Sequence, residues 1–220
     1  MLQKNVMPFL TALKKNNNKV WFNEHRNNYE NAKADFLIFV GALIKEIASF
    51  DKSIGELEPK NCTFRINRDV RFSKNKSPYK QNMAAYFNKA GKKGLGAGYY
   101  VHIEPGSSFI AAGIWMPEAE HLAAIRQEID YYFDDFKKIL NTAAFKNNFP
   151  KGPNQENSLV RPPKGYDENN PAIAFLKLKS FVVTTAYPDK QLPEPSLPKE
   201  IGKTLKSAAP FVSFLNRSLE

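Results

Sequence analysis

The chain has 220 residues, 42% of them hydrophobic and 25% charged, a composition that suits a folded globular protein and excludes disordered and collagen-like classes. Its 32 Lys and Arg against 22 Asp and Glu give a formal charge of +10, which favours encounters with polyanions but does not by itself make a site for one. The longest early apolar stretch, Phe36 to Ile44, is too short to span a bilayer, no secretory pattern precedes it, and a lone Cys62 permits neither an internal disulfide nor a cysteine zinc site. These features predict a cytoplasmic protein away from membranes, with one domain over residues 1–220.

Phe9, Leu10 and Leu13 recur at helical spacing before Lys15-Asn16-Asn17-Asn18-Lys19 interrupts them, so the chain is expected to open with two helices split at the asparagines. The second should run from Trp21 to about Phe50, its apolar stripe carried by Phe22, Tyr29, Phe36, Phe39, Val40, Leu43, Ile44 and Ile47. Asp51-Lys52-Ser53 and Gly55 end it, and Pro59 marks a loop. Residues 64–72 then alternate, with Phe64, Ile66, Val70 and Phe72 on one face and Arg65, Asn67, Asp69 and Arg71 on the other, which predicts a strand. Arg68 breaks the scheme: either the strand stops near Asn67 or Arg68 has an anionic partner. A short strand is expected over Ala84–Asn88.

Tyr99–Glu104 and Ser107–Trp115 read as a β-hairpin around Pro105-Gly106, a pair suited to the centre of a type II turn. One face of that hairpin holds Tyr99, Val101, Ile103, Ile110, Ala112 and Ile114 and should be the core side. The other holds Tyr100, His102, Glu104, Phe109, Ala111, Gly113 and Trp115. Pro117-Glu118 starts a helix that carries Leu122, Ile125 and Ile129 inward, and a further helical stretch runs through Leu140. Residues 146–171 form a long surface loop anchored by Leu159, Val160 and Tyr166, Phe181–Ala186 is a late strand, and a final helix runs from Lys199 to about Leu215. The expected fold is α+β: a mainly antiparallel sheet with the hairpin of 99–115 at its centre, packed by N-terminal, middle and C-terminal helices.

The stretches FRINRDVRFSKNKSPYKQN, GYYVHIEPGSSFIAAGIWMPE, RPPKGYD and LKSF, in that order, resemble the DUF2461 family of uncharacterised proteins. The resemblance extends from the PFLTALKKNNNKVWF opening to the AAPFVSFL close. It implies no reaction and supplies no catalytic residue. Members often carry an aromatic residue where Asn67 stands and glycines where Ala111 and Ala112 stand.

Chemistry must therefore be judged from the residues. Arg65, Arg68, Arg71, Lys74, Lys76 and Lys80 offer guanidinium forks and ammonium groups to phosphate or carboxylate, with Ser73, Ser77 and Tyr79 as neutral donors. The competing reading pairs these cations with Asp69, Glu104 or helix carboxylates to lock loops onto the sheet. His102 and Glu104 share a strand face, as an acid–base pair or as a histidine hydrogen-bonded within a sheet. Tyr100 and Trp115 border a hollow over Ala111 and Gly113 that suits a planar ligand, unless a helix covers that aromatic face. Gly91-Lys92-Lys93-Gly94 lacks the order of a phosphate-binding loop, and no metal-ligand spacing or cofactor motif occurs, so neither metal nor cofactor is expected. Three readings stay open. The first is a domain binding an anionic small molecule or nucleic acid. The second is an enzyme acting on a phosphorylated or carboxylated small molecule through His102 and Glu104. The third is a protein-interaction domain with structural cations.

Overall fold

In the structure, a computed structural model that describes Leu2 and residues 4–219, the chain forms an α+β fold. Helices α1 (Val6–Lys15), α2 (Lys19–Glu24), α3 (Arg26–Ala48) and α4 (Pro59–Cys62) precede strands β1 (Met83–Phe87), β2 (Gly98–Ile103) and β3 (Phe109–Ile114). Helices α5 (Ala119–Tyr131), α6 (Phe133–Asn141), α7 (Ala143–Asn148) and α8 (Ile173–Leu176) follow, then β4 (Phe181–Ala186), α9 (Leu197–Ser207) and α10 (Ala209–Arg217). The four strands make one antiparallel sheet in the order β1-β2-β3-β4. The chain divides into two compact units: Met1–Lys93, Tyr100–Ile110 and Ala186–Lys203 form the first, and Gly94–Tyr99, Ala111–Thr185 and Thr204–Glu220 the second.

In the first unit the asparagine interruption does what its residue type suggests. Asn18 caps α2 by accepting from the Trp21 backbone N–H at 2.9 Å. Asn17 makes a two-bond clamp on Tyr79, donating to its carbonyl at 3.0 Å and accepting from its N–H at 3.1 Å. The Tyr79 ring stacks on Phe22 with centroids 3.9 Å apart. The long helix expected from Trp21 is instead broken at His25, whose ring stacks on Trp21 at 4.2 Å and whose Nδ1 reaches the Trp21 carbonyl at 2.9 Å. That carbonyl also accepts the His25 backbone N–H, and His25 stands at φ −106°, ψ 23°, outside helical geometry. Beyond it α3 buries Phe36, Phe39, Val40, Leu43, Ile44 and Ile47, and packs against α1 and α4.

The strand expected over 64–72 does not form. Thr63 bridges Ala85 and Asn67 bridges Tyr79, both antiparallel, but as isolated pairs. The Phe64 N–H donates to Ala84 and the Lys80 N–H to Ile66; two positions separate Phe64 from Ile66 while four separate Lys80 from Ala84, so the register slips and no ladder propagates. Of the four alternating apolar residues only Ile66 is buried, and Phe72 is 96% exposed. The hairpin does form, and its turn is of the expected type: the Ser107 N–H donates to the Glu104 carbonyl at 2.9 Å and Gly106 sits at φ 81°.

In the second unit Phe136 is fully buried among Phe175, Phe211 and Phe214, and Phe145 continues the cluster through Phe149 and Phe211. Asn216 repeats the clamp of Asn17: its amide accepts from the Ala97 N–H at 2.7 Å and donates to the Ala97 carbonyl at 3.1 Å. Val160, expected to anchor the long loop, is 92% exposed; the loop is tied instead by backbone bonds from Asn154 to Val182 and from Leu159 to Lys177. The single C-terminal helix expected is two, because Pro210 in the first turn of α10 lacks an N–H and crowds the preceding turn.

Gly113 lies at φ 123°, and a Cβ placed there would come within 1.9 Å of the Phe181 carbonyl oxygen. Gly113→Ala therefore meets both backbone strain and a clash with β4. It is expected to lower stability by about 2–4 kcal/mol, read as a fall in thermal midpoint; an unchanged midpoint refutes the close approach of β3 and β4 at this position.

Candidate functional site

Alternation along β2 decides which side chains are displayed. Val101 and Ile103 turn to the core and are fully buried, so Tyr100 and His102, with Glu104 just beyond the strand end, share the other face and stay half-buried. They form one hydrogen-bonded chain. The Tyr100 hydroxyl lies 3.0 Å from His102 Nδ1, and His102 Nε2 lies 2.9 Å from Glu104 Oε2. In a neutral imidazole whose Nε2–H is directed at the Glu104 carboxylate, Nδ1 is the acceptor for the tyrosine O–H.

The turn fixes the far end of this chain. The Ser108 hydroxyl accepts from the Glu104 N–H at 3.0 Å and donates to the Glu104 carbonyl at 2.9 Å, and the Gly106 N–H is held by the Asp189 carboxylate at 3.0 and 3.1 Å. Phe109 on β3 stacks on the imidazole with centroids 4.6 Å apart, which holds its plane. Phe64, one residue past the Thr63 bridge, meets Tyr100 edge-on at 6.2 Å. Burial first, and the Glu104 charge second, push the Tyr100 phenol up to about 12, so it remains a protonated donor at neutral pH.

The cationic segment divides its labour. Of the two outcomes open for Arg68, a strand ending near Asn67 or an anionic partner, the second is not found among the described residues; its guanidinium donates to the Ser77 carbonyl at 3.1 Å and to the Ser73 hydroxyl at 3.2 Å, closing the loop from inside. Lys76 donates to the carbonyls of Val70 and Arg71 at 3.0 and 3.5 Å. Arg71 forks onto Asp69, Nε to Oδ1 at 3.0 Å and Nη2 to Oδ2 at 2.7 Å, and this pairing holds the Asp69 carboxyl below its ordinary range. Lys80 places its ammonium 5.4 Å from the Phe64 ring centroid, and its pKa is lowered by burial and then by neighbouring Arg65. Arg65 and Lys74 take part in no hydrogen bond or ion pair among the described residues.

The structure thus brings together Lys80, Phe64, Tyr100, His102 and Glu104 as successive neighbours in the first unit, with Arg65 beside Lys80. It does not bring all nine expected ligand-binding residues to one place. Tyr79 is 7% exposed with its ring stacked on Phe22, Arg68 and Lys76 face their own loop, and Trp115 is 61% exposed. Phe64 and Ser108 join the site although no sequence signal marks them, because their roles depend on a broken ladder and a turn geometry.

Cys62 supplies no nucleophile. It is fully buried, and burial pushes its thiol up to about 11 although Lys92 pulls the other way. Among the described residues no three His, Cys, Asp or Glu side chains gather where they could hold a metal ion, and no helix is long and apolar enough to cross a membrane.

The family described as "Conserved hypothetical protein (DUF2461)" matches residues 5–214, and the chain belongs to it. Neither the search of curated proteins nor that of solved structures finds a match.

Arg68→Met removes the internal brace of the loop and little else. Chymotryptic cleavage after the exposed Phe72 is expected to rise about fivefold, the effect of ~1 kcal/mol lost from local hydrogen bonding, with the thermal midpoint nearly unchanged. Equal cleavage rates in both proteins contradict the bracing role.

Proposed function

We propose that this DUF2461 member binds phosphate- or carboxylate-bearing ligands, nucleic acid among them, through residues 65–80 and the adjoining face of β2. One observation carries the reading: six cations stand against one carboxylate in that segment, and Arg71–Asp69 is its one ion pair among the described residues. The bonds of Arg68 and Lys76 go to neutral oxygens, which satisfy donors but leave the positive charge intact. An exposed loop of this kind attracts polyanions through counterion release and long-range steering. Arg65, Lys74 and Lys80 are the proposed contacts, with the Tyr100 hydroxyl adjoining them.

A second reading is supported by the His102–Glu104 bond, a pair of the type that moves protons in general acid–base catalysis. It would make the protein an enzyme acting on a phosphorylated or carboxylated small molecule. Turnover in a substrate panel that His102→Asn abolishes, with the far-ultraviolet spectrum retained, supports this reading; a variant that unfolds assigns the histidine to structure.

The binding reading is tested by fluorescence anisotropy of a labelled single-stranded oligonucleotide across a salt series. Affinity is expected to fall steeply with salt, and Arg65→Ser combined with Lys74→Ser should weaken it at least about fivefold and flatten the salt slope by about 0.7 per lost phosphate contact. Absence of binding at low salt, or a slope that the double variant leaves unchanged, defeats the proposal.

A further inference from the structure

The Tyr100–His102–Glu104 chain has a property that follows from donor and acceptor counting, and it deepens the anion-binding reading on which it rests. A neutral imidazole has one N–H. With Nε2–H directed at Glu104 Oε2, 2.9 Å away, the Nδ1 lone pair must be met by the Tyr100 O–H at 3.0 Å. In that state the phenol turns its proton inward and presents only lone pairs to anything outside the chain. An anion arriving there meets repulsion. When Nδ1 takes up a proton, the bond inverts: Nδ1–H donates to the phenol oxygen, and the tyrosine proton is released to turn outward. The site then gains a donor and an imidazolium charge in one step.

We propose that Tyr100 is a proton-coupled anion contact, so that a tetrahedral dianion such as a phosphate group binds beside Phe64 and Lys80 together with one proton taken up on His102 Nδ1. No bond other than that N–H is made or broken, and the proton comes from solvent.

The surroundings of the imidazole leave few competitors for this role. On its own strand the titratable groups are Tyr100 and Glu104. From β3 it faces the apolar Phe109 ring. On β1, alternation puts Tyr86 on the same sheet face as Phe64, and burial raises that phenol's pKa, so it stays neutral. The cations on this side are Lys80, above Phe64, and Arg65 beside it. Asp189 is engaged with the Gly106 N–H at the turn. Glu104 makes the coupling workable, because its carboxylate holds the imidazolium in place without accepting the transferred proton, and Ser108 fixes the backbone that carries it.

Linkage sets the sign. If anion binding favours the protonated imidazole, affinity is highest at the acid side and is lost as pH rises through the titration of the bound state. Inorganic sulfate is the suitable probe, since its own charge does not change near neutrality. Sulfate titrations of the full chain, followed by amide shifts and by the long-range nitrogen spectrum of His102, are expected to show about tenfold weaker binding at pH 8 than at pH 5.5, within the usual range of coupling between two sites. Addition of sulfate at fixed pH should move the His102 nitrogen signals toward the form protonated at Nδ1. Tyr100→Phe should remove the released donor and so flatten the pH dependence to the part carried by the imidazolium charge, leaving residual binding to Lys80 and Arg65, and Glu104→Gln should flatten it further by weakening the protonated imidazole. Sulfate binding of equal strength across the range, or a Tyr100→Phe protein with the same pH profile as the parent, overturns the coupling alone. Failure of sulfate to bind at any pH also overturns the coupling, and failure of the oligonucleotide to bind as well overturns the anion-binding reading itself.

Discussion

Everything assigned to the site depends on the two-residue alternation of β2 being held in one register. Val101 and Ile103 are buried, and that burial obliges Tyr100, His102 and Glu104 to occupy the opposite side in a line. A slip of one residue would bury the imidazole and expose two aliphatic side chains, so the hydrophobic core enforces the order of the polar chain. The turn completes the constraint. Gly106 at positive φ, the Ser108 hydroxyl bonded to both backbone groups of Glu104, and the Asp189 carboxylate on the Gly106 N–H fix where the carboxylate stands relative to the ring.

The loop of 65–80 shows why satisfying hydrogen-bond donors and neutralising charge are different things. A carbonyl oxygen meets the geometric demand of a guanidinium N–H as well as a carboxylate does, yet it carries only a partial charge. Arg68 and Lys76 are therefore structural by their contacts and still electrostatically active by their charge. Arg71 with Asp69 is the contrasting case, a fork on an exposed carboxylate in which charge is matched. The two readings open to the sequence, an anion site or an internal network, are thus not alternatives for the segment as a whole: the same loop is braced by some of its cations and left positive by all but one pair.

Much of this architecture was legible in the sequence because it follows from local pattern. Alternation and Pro105-Gly106 gave the hairpin and its turn type, and Phe181–Ala186 was recognisable as a strand by its β-branched content. The failures have physical causes that pattern does not encode. Residues 64–72 alternate as a strand would, but pairing requires a partner in register, and the slip between Phe64 and Ile66 removes it. The break at His25 coincides with a ring stacked on Trp21, a contact that apolar periodicity does not encode, and the division of the last helix comes from Pro210, whose effect the periodicity masked. Within the site, the His102–Glu104 pair could be read from spacing, whereas Tyr100 as its third member required the ring orientation. Asn17 and Asn216 stood in the sequence as unremarkable amides, although each clamps both backbone groups of a residue far along the chain.

A braced loop also bears on how an anion would be held. Ordering a long cationic side chain on binding costs about 0.5–1.5 kcal/mol, and a mobile loop adds backbone entropy to that. Here the backbone is already restrained by Arg68, by Lys76 and by the Asn17 clamp at Tyr79, so the side chains left to order are Arg65 and Lys74, which make no hydrogen bond or ion pair among the described residues, together with the half-buried Lys80. The burial that lowers the Lys80 pKa also makes its charge interact more strongly with an incoming anion, since less water screens it. Affinity would then come from few contacts on a prepared frame, and the protonation state of the neighbouring His102 would decide whether Tyr100 adds to them or opposes them.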